Sequence, residues 1–255
     1  MKKFRGTALV ASAAAFALTI SGCAATEELT PTASPSESAA TAEWYEDLAP
    51  QITVGWNDII DTFNTSSAAG NNVGNSLTAY LTSSSFNYYD SAPALVKNTE
   101  FGSYEIVVED PLTVKYTIND GVVWSDGTAI DGADMMLAWV TTFGYYKNED
   151  GSYVFAHAAP KDTLASKLPT IDGNSITFEY DVQYVDWELQ FGIGVSAHGT
   201  VMMAHSDITD AATAKQALID AVVNGDDAFM AEVATVWNEG YSFTNTPDNP
   251  LAYLS

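Results

Sequence analysis

The sequence predicts a mixed α/β fold assembled from antiparallel hairpins and packed helices, and three observations carry that expectation. Leu112, Val114, Tyr116 and Ile118 alternate with Thr113, Lys115, Thr117 and Asn119, the period of two that buries one face of a strand. Met136, Trp139, Val140 and Phe143 recur at i, i+3, i+4 and i+7, the stripe of a helix seated on a core. Hairpins and helices then follow one another without strict βαβ units, which predicts a mixed sheet with packed helices.

Taken in order, Gln51–Trp56 is a short β-prone run that leads into a polar, Asn- and Ser-rich stretch from Asn57 to Asn75. Val73–Leu81 reads as a short helix. Tyr104–Glu109 is a strand candidate that Asp110-Pro111 ends with turn chemistry, and it should pair with the alternating strand after it. Trp124–Gly127 is a turn. Asp131 then caps a helix, and Asp134 in its first turn meets the positive end of the dipole. A second hairpin is expected from Leu168 to Tyr180 around Asp172-Gly173-Asn174. Val185–Phe191 reads as a short helix carrying Trp187. Two amphipathic helices follow at Thr209–Val223 and Asp226–Asn238, with Gly225 and Gly240 as stops.

The first 22 residues stand apart from the fold. Lys2, Lys3 and Arg5 precede an uncharged apolar run from Thr7 to Ile20, and Ser21-Gly22 supplies small residues for cleavage, the layout of a secretory signal. The run is short for a membrane span. Cys23, the one cysteine of the chain, follows directly. Ile20-Ser21-Gly22-Cys23 resembles the lipobox of bacterial lipoproteins, which implies lipidation of Cys23 and anchoring to the outer face of the cell membrane; two acyl chains hold where one does not. Residues 24–43 have little to bury and read as a disordered tether, a coil spanning roughly 25 Å.

The chain has 255 residues, with 9 basic against 33 acidic ones. Loss of the signal removes Lys2, Lys3 and Arg5 and no acid, leaving 6 basic residues and a net charge of −27. Such a surface repels a phosphate backbone, so no nucleic-acid partner is expected. A zwitterionic or cationic ligand is tolerated better, although acidic surfaces also serve solubility alone.

Candidate chemistry is sparse. Gly192-Ile193-Gly194 fits a loose dinucleotide fingerprint without a convincing strand ahead of it. Gly194–His198 lacks the second glycine of a nucleophile elbow. His157, His198 and His205 share no metal-ligand spacing. No catalytic residue, metal or cofactor is expected. Aromatic residues are more informative, at 12% of the chain. Phe86, Asn87 and Tyr88, and Trp56, Asn57 and Asp58, mix flat apolar faces with hydrogen-bonding groups, the composition of small-ligand clefts. Filling the core is the alternative use of such rings.

From Pro111 to Trp139 the sequence resembles the family 5 extracellular solute-binding proteins, the oligopeptide-, dipeptide- and nickel-binding components of ABC importers. Gly121, Val122, Trp124, Ser125, Asp126, Gly127, Thr128 and Asp134 occupy the family's pattern positions, with Ala129 at the usual proline and Asp131 at the usual threonine. Val185–Phe191 followed by Ala197-His198 is similar to a segment of the actinobacterial group, and the resemblance covers most of residues 51–255. It implies a periplasmic-binding-protein-like fold of cluster C, type II, in which Trp124, Ser125, Asp126, Gly127 and Asp134 are structural. By position it implies that Trp56, Asn57 and Asp58 offer groups to ligand. The implied function is capture of peptides, held largely through main-chain hydrogen bonds, for delivery to permease subunits. Nickel complexes, opines, sugars or other small solutes are alternatives on the same fold. A surface adhesin or receptor, and a fragment without function, are the other readings. Members of the family are roughly twice as long, so residues 44–255 are expected to be an incomplete first lobe, half of a cleft.

Overall fold

A computed structural model describes residues 55–244 and 249–255. The signal-like segment, Cys23, the tether and the first four residues of the β-prone run expected over Gln51–Trp56 lie outside the described residues, and Gly55 and Trp56 are not in a strand.

The core sheet grows from the alternating segment. β3 (Gly102–Val108) and β4 (Thr113–Ile118) pair antiparallel, with Tyr104 opposite Tyr116. β5 (Thr170–Asp172) and β6 (Ser175–Glu179) form the second hairpin, and β6 lies against β4 to give the order β3-β4-β6-β5. Leu112, Val114, Tyr116 and Ile118 are all buried, as the alternation requires, and Ile176 and Phe178 extend their face. A smaller hairpin, β1 (Asn87–Tyr89) with β2 (Leu95–Lys97), precedes the sheet. Three-residue strands have no readable period, so the sequence gives no sign of it.

α2 (Gly132–Thr142) begins at the expected cap. Asp131 accepts from the Ala133 N–H, and the Asp134 carboxylate reaches back to the Asp131 N–H, a reciprocal capping box. The helix departs from its expected one-sided stripe, because Gly132 through Thr141 are all buried. It packs against β5 and β6 and also against α3 (Ala197–Ala204) and α4 (Ala211–Asn224), so it has no solvent face. The approach to the sheet is close: a Cβ on Gly132 would come within 2.6 Å of the Gly173 carbonyl.

Asp134 ties these elements together. It is fully buried, and it accepts from the Trp124 indole N–H at 3.1 Å, the Ala197 N–H at 2.8 Å and the Lys215 ammonium at 2.8 Å. One carboxylate thus joins the Trp124 turn, α2, α3 and α4. The turn is secured further by Asp126 Oδ2, 3.0 Å from Nε2 of His198 on α3.

α1 (Val73–Thr82) and α5 (Asp227–Thr235) complete the helices. Gly225 ends α4 in the left-handed region at φ 69°, as its expected role as a stop requires. Gly240 instead closes a short π turn, Val236–Gly240. The expected helix over Val185–Phe191 shrinks to a 3-10 turn, Trp187–Leu189. α3 is unannounced in the sequence, since it has eight residues with Gly199 among them. The polar stretch before α1 is ordered by the buried Asn75, whose amide bonds Asp61 and the Gly70 carbonyl while its oxygen accepts from the Asp61 and Thr62 N–H groups.

Asp134→Ala is expected to cost roughly 3–5 kcal/mol, because it removes the buried acceptor of the Trp124, Ala197 and Lys215 donors and leaves Lys215 with the partly exposed Asp131 as its one carboxylate partner. Adding Lys215→Met should recover part of the loss. Urea denaturation checks both, and a loss below about 1 kcal/mol would remove Asp134 from its central position.

Candidate functional site

Four segments enclose a groove of ≈ 510 Å³: residues 63–66, the end of α1 with β1, residues 157–161, and the 188–194 loop. Each wall is placed by backbone bonds. Ala158 donates to the Ser66 carbonyl and Ala68 to the Ala156 carbonyl, which pins the histidine segment to the Asn64–Ala68 turns. The Lys161 N–H donates to the Thr142 carbonyl at 2.8 Å, so the C-terminal end of α2 sets where Lys161 enters.

β1 contributes by its pleat. Asn87 and Tyr89 line the groove, whereas Tyr88, on the other face of the strand, is exposed outside it. The Asn87 amide donates to the Glu188 carbonyl at 2.9 Å and accepts from the Tyr104 hydroxyl at 2.7 Å. That pair of bonds holds β1 to the 188–194 loop. Lys97 sits 4.2 Å from the Tyr104 ring centroid and 3.3 Å from the Glu188 carboxylate.

Of the six residues expected to contact ligand, Asn87 is the one that lines this groove. Phe86 is corrected to a core residue: it is 1% exposed and packs edge-on against Phe101 and Tyr116, each at 5.0 Å. No face of its ring is free for a ligand. Trp56, Asn57 and Asp58 are exposed and do not line the groove, and the Asp58 carboxylate bonds the Ile59 N–H beside it. Gly192–Gly194, the loose dinucleotide fingerprint without a strand ahead of it, is irregular backbone along the groove rather than a strand-to-helix turn.

Sequence reasoning set His157 aside for want of metal-ligand spacing and did not single out Lys161. The His157 ring stacks on Trp237, with centroids 6.1 Å apart and planes 16° apart. Its Nδ1 accepts from the Ala159 N–H at 3.0 Å, so the neutral ring carries its proton on Nε2 as a donor. Burial, and next the nearby Lys161 charge, lower its affinity for a second proton below the histidine norm. The Lys161 ammonium donates to the Gln190 carbonyl at 3.0 Å, and burial lowers its pKa as well. With Phe63, Tyr89, Phe191 and the Ser66, Ser83 and Ser85 side chains, the groove offers apolar faces beside donors and acceptors. That is the make-up of a site that orients a small polar ligand. A second opening, ≈ 690 Å³, lies beside α4, but its Lys215 is already held by Asp131, Asp134 and the Ala129 carbonyl.

No family model matches the chain. It is similar to a lipoprotein of Mycobacterium tuberculosis, 28% identical over 104 residues, a match that covers 41% of this chain and 19% of the relative. A lipoprotein of Mycobacterium leprae is 24% identical over 192 residues, covering 74% of this chain and 32% of the relative. Both are described as uncharacterised. The chain thus spans about a fifth to a third of the length of the curated relatives it matches. Among solved structures, a periplasmic EDTA-binding protein aligns over 62% of this chain and 28% of its own, with 24% identity and a TM-score of 0.47.

The depressed His157 pKa has a direct consequence for stability. The unfolded chain takes up this proton more readily than the folded one, so stability falls as pH drops below the ordinary histidine value of 6.5. His157→Gln should flatten that slope in urea midpoints measured from about pH 7.5 to 5.0. An unchanged slope would mean that His157 titrates alike in both states.

Proposed function

We propose that this chain is the first lobe of an exported, lipid-anchored solute-binding protein that captures peptides for an ABC importer. The observation that carries the reading is the groove beside β1, with aromatic faces, hydroxyls, amides and one half-buried ammonium along an open wall. An extended peptide suits such a wall, because its main chain supplies donors and acceptors at regular spacing. In this reading the fold is the periplasmic-binding-protein-like one, and a further lobe closes over the groove.

Two independent features support it. The stretch that resembles family 5 binding proteins makes the strand, turn and helix expected of it, with Asp134 at its centre. Cys23 stands where a lipidated cysteine would, and the mycobacterial relatives bear the name lipoprotein. The acidic mature chain fits a zwitterionic ligand, since a net anion would be repelled on approach.

Native mass spectrometry of the protein with the closing lobe present, mixed with an equimolar pool of di- to pentapeptides, should retain one peptide per molecule. Retention of none, or equal retention from a pool of monosaccharides, would sink the peptide reading. For the anchor, Cys23→Ala is expected to move the protein from the membrane fraction to the medium or soluble fraction of the producing bacterium. Membrane retention of the variant would show that something other than the lipid holds it.

A further inference from the structure

After signal loss the chain contains six lysines and no arginine, and all six lie among the described residues. Four are neutralised: Lys97 by Glu188, Lys147 by Asp162, Lys167 by Glu179, and Lys215 by Asp131 and Asp134. Lys115 lies on β4, directly across from Glu105 in the β3–β4 register. Lys161 differs from all of these. It is half-buried and lines the groove, and its protein bond is to a neutral carbonyl, Gln190. No ion-pair partner of Lys161 occurs among the described residues, in a chain that after signal loss carries 33 acidic residues against 6 basic ones.

A half-buried ammonium is costly to leave without an anion. Lys161 has three protons to donate, and the Gln190 carbonyl uses one. His157 lines the same groove and feels the Lys161 charge, and its Nε2–H is a second donor. We propose that Lys161, aided by the Nε2–H of His157, is the carboxylate-holding point of the groove, so that the ligand is a zwitterion whose carboxylate docks here. The docking of a peptide's own C-terminal carboxylate rests on the function proposed above; the subsite itself does not. Charge-assisted bonds of this kind are about twice as strong as neutral ones and carry orientation as well as affinity. They would fix which end of a zwitterion lies against the 157–161 segment.

The test follows the lysine side-chain ammonium resonances of the full chain by NMR. Sodium acetate is titrated against sodium chloride at matched ionic strength, and inorganic phosphate is titrated in parallel. The Lys161 resonance should shift saturably with acetate while that of Lys115 drifts linearly. A Lys161 response no different from that of Lys115 overturns the subsite. Saturation by phosphate well below the acetate concentration overturns its assignment to carboxylates.

Trialanine and its C-terminal amide are then compared on the wild type and on Lys161→Gln, with Lys161→Met as a second variant that keeps the packing. The free acid should bind the wild type about tenfold more tightly than the amide, with the difference lost in both variants. Equal binding of acid and amide by the wild type, or a gap that survives in the variants, refutes the role of Lys161. Saturable acetate binding at Lys161 with no binding of either tripeptide would instead remove the peptide function and keep the subsite.

Discussion

A single buried carboxylate sets the arrangement of the helices. Asp134 has no exposure to solvent, so its carboxylate oxygens must find their hydrogen-bond donors inside the fold. Those donors come from the Trp124 turn, from the Asp131 backbone at the start of α2, from the first residue of α3 and from Lys215 on α4. Because each is a directional bond to one of two oxygens, the carboxylate specifies relative position where apolar packing alone would tolerate sliding. The apolar surroundings, with Trp139, Met135, Val201 and Leu218 all buried, then supply the bulk of the burial.

The groove depends on that frame. α2 is held in place at its N-terminal end by Asp134 and ends at Thr142, whose carbonyl accepts the backbone N–H of Lys161. The same helix that carries the family-like motif therefore places the one groove-lining lysine that lacks an acidic partner among the described residues. On the opposite wall the Asn87 amide spans from Tyr104 on β3 to the Glu188 carbonyl, so the sheet and the 188–194 loop share a fixed edge. Acidic excess gives the arrangement its chemical character. With six lysines in the mature chain, where each one sits matters more than in a protein of balanced charge.

The sequence by itself determined the elements with a clear period or a clear stop. The capping box at Asp131 and Asp134, the Asp172–Asn174 turn and the Gly225 stop rest on bonds within a few residues of one another, and the β4 alternation shows in the order of its own residues although its partners are distant, so a linear reading finds them. Only the tertiary structure decided the rest. The burial of α2 on every side comes from helices that arrive some sixty to eighty residues later, as the bonds of Asp134 to Ala197 and Lys215 illustrate. Phe86 and Asn87 are neighbours of equal promise in the chain, yet Phe86, in the bend just before β1, is sealed in an aromatic cluster, while Asn87 opens the strand and lines the groove. His157 and Lys161 carry no signature in composition or spacing. Their meaning comes from where the chain folds them, and from the lack of an acidic partner for Lys161 among the described residues.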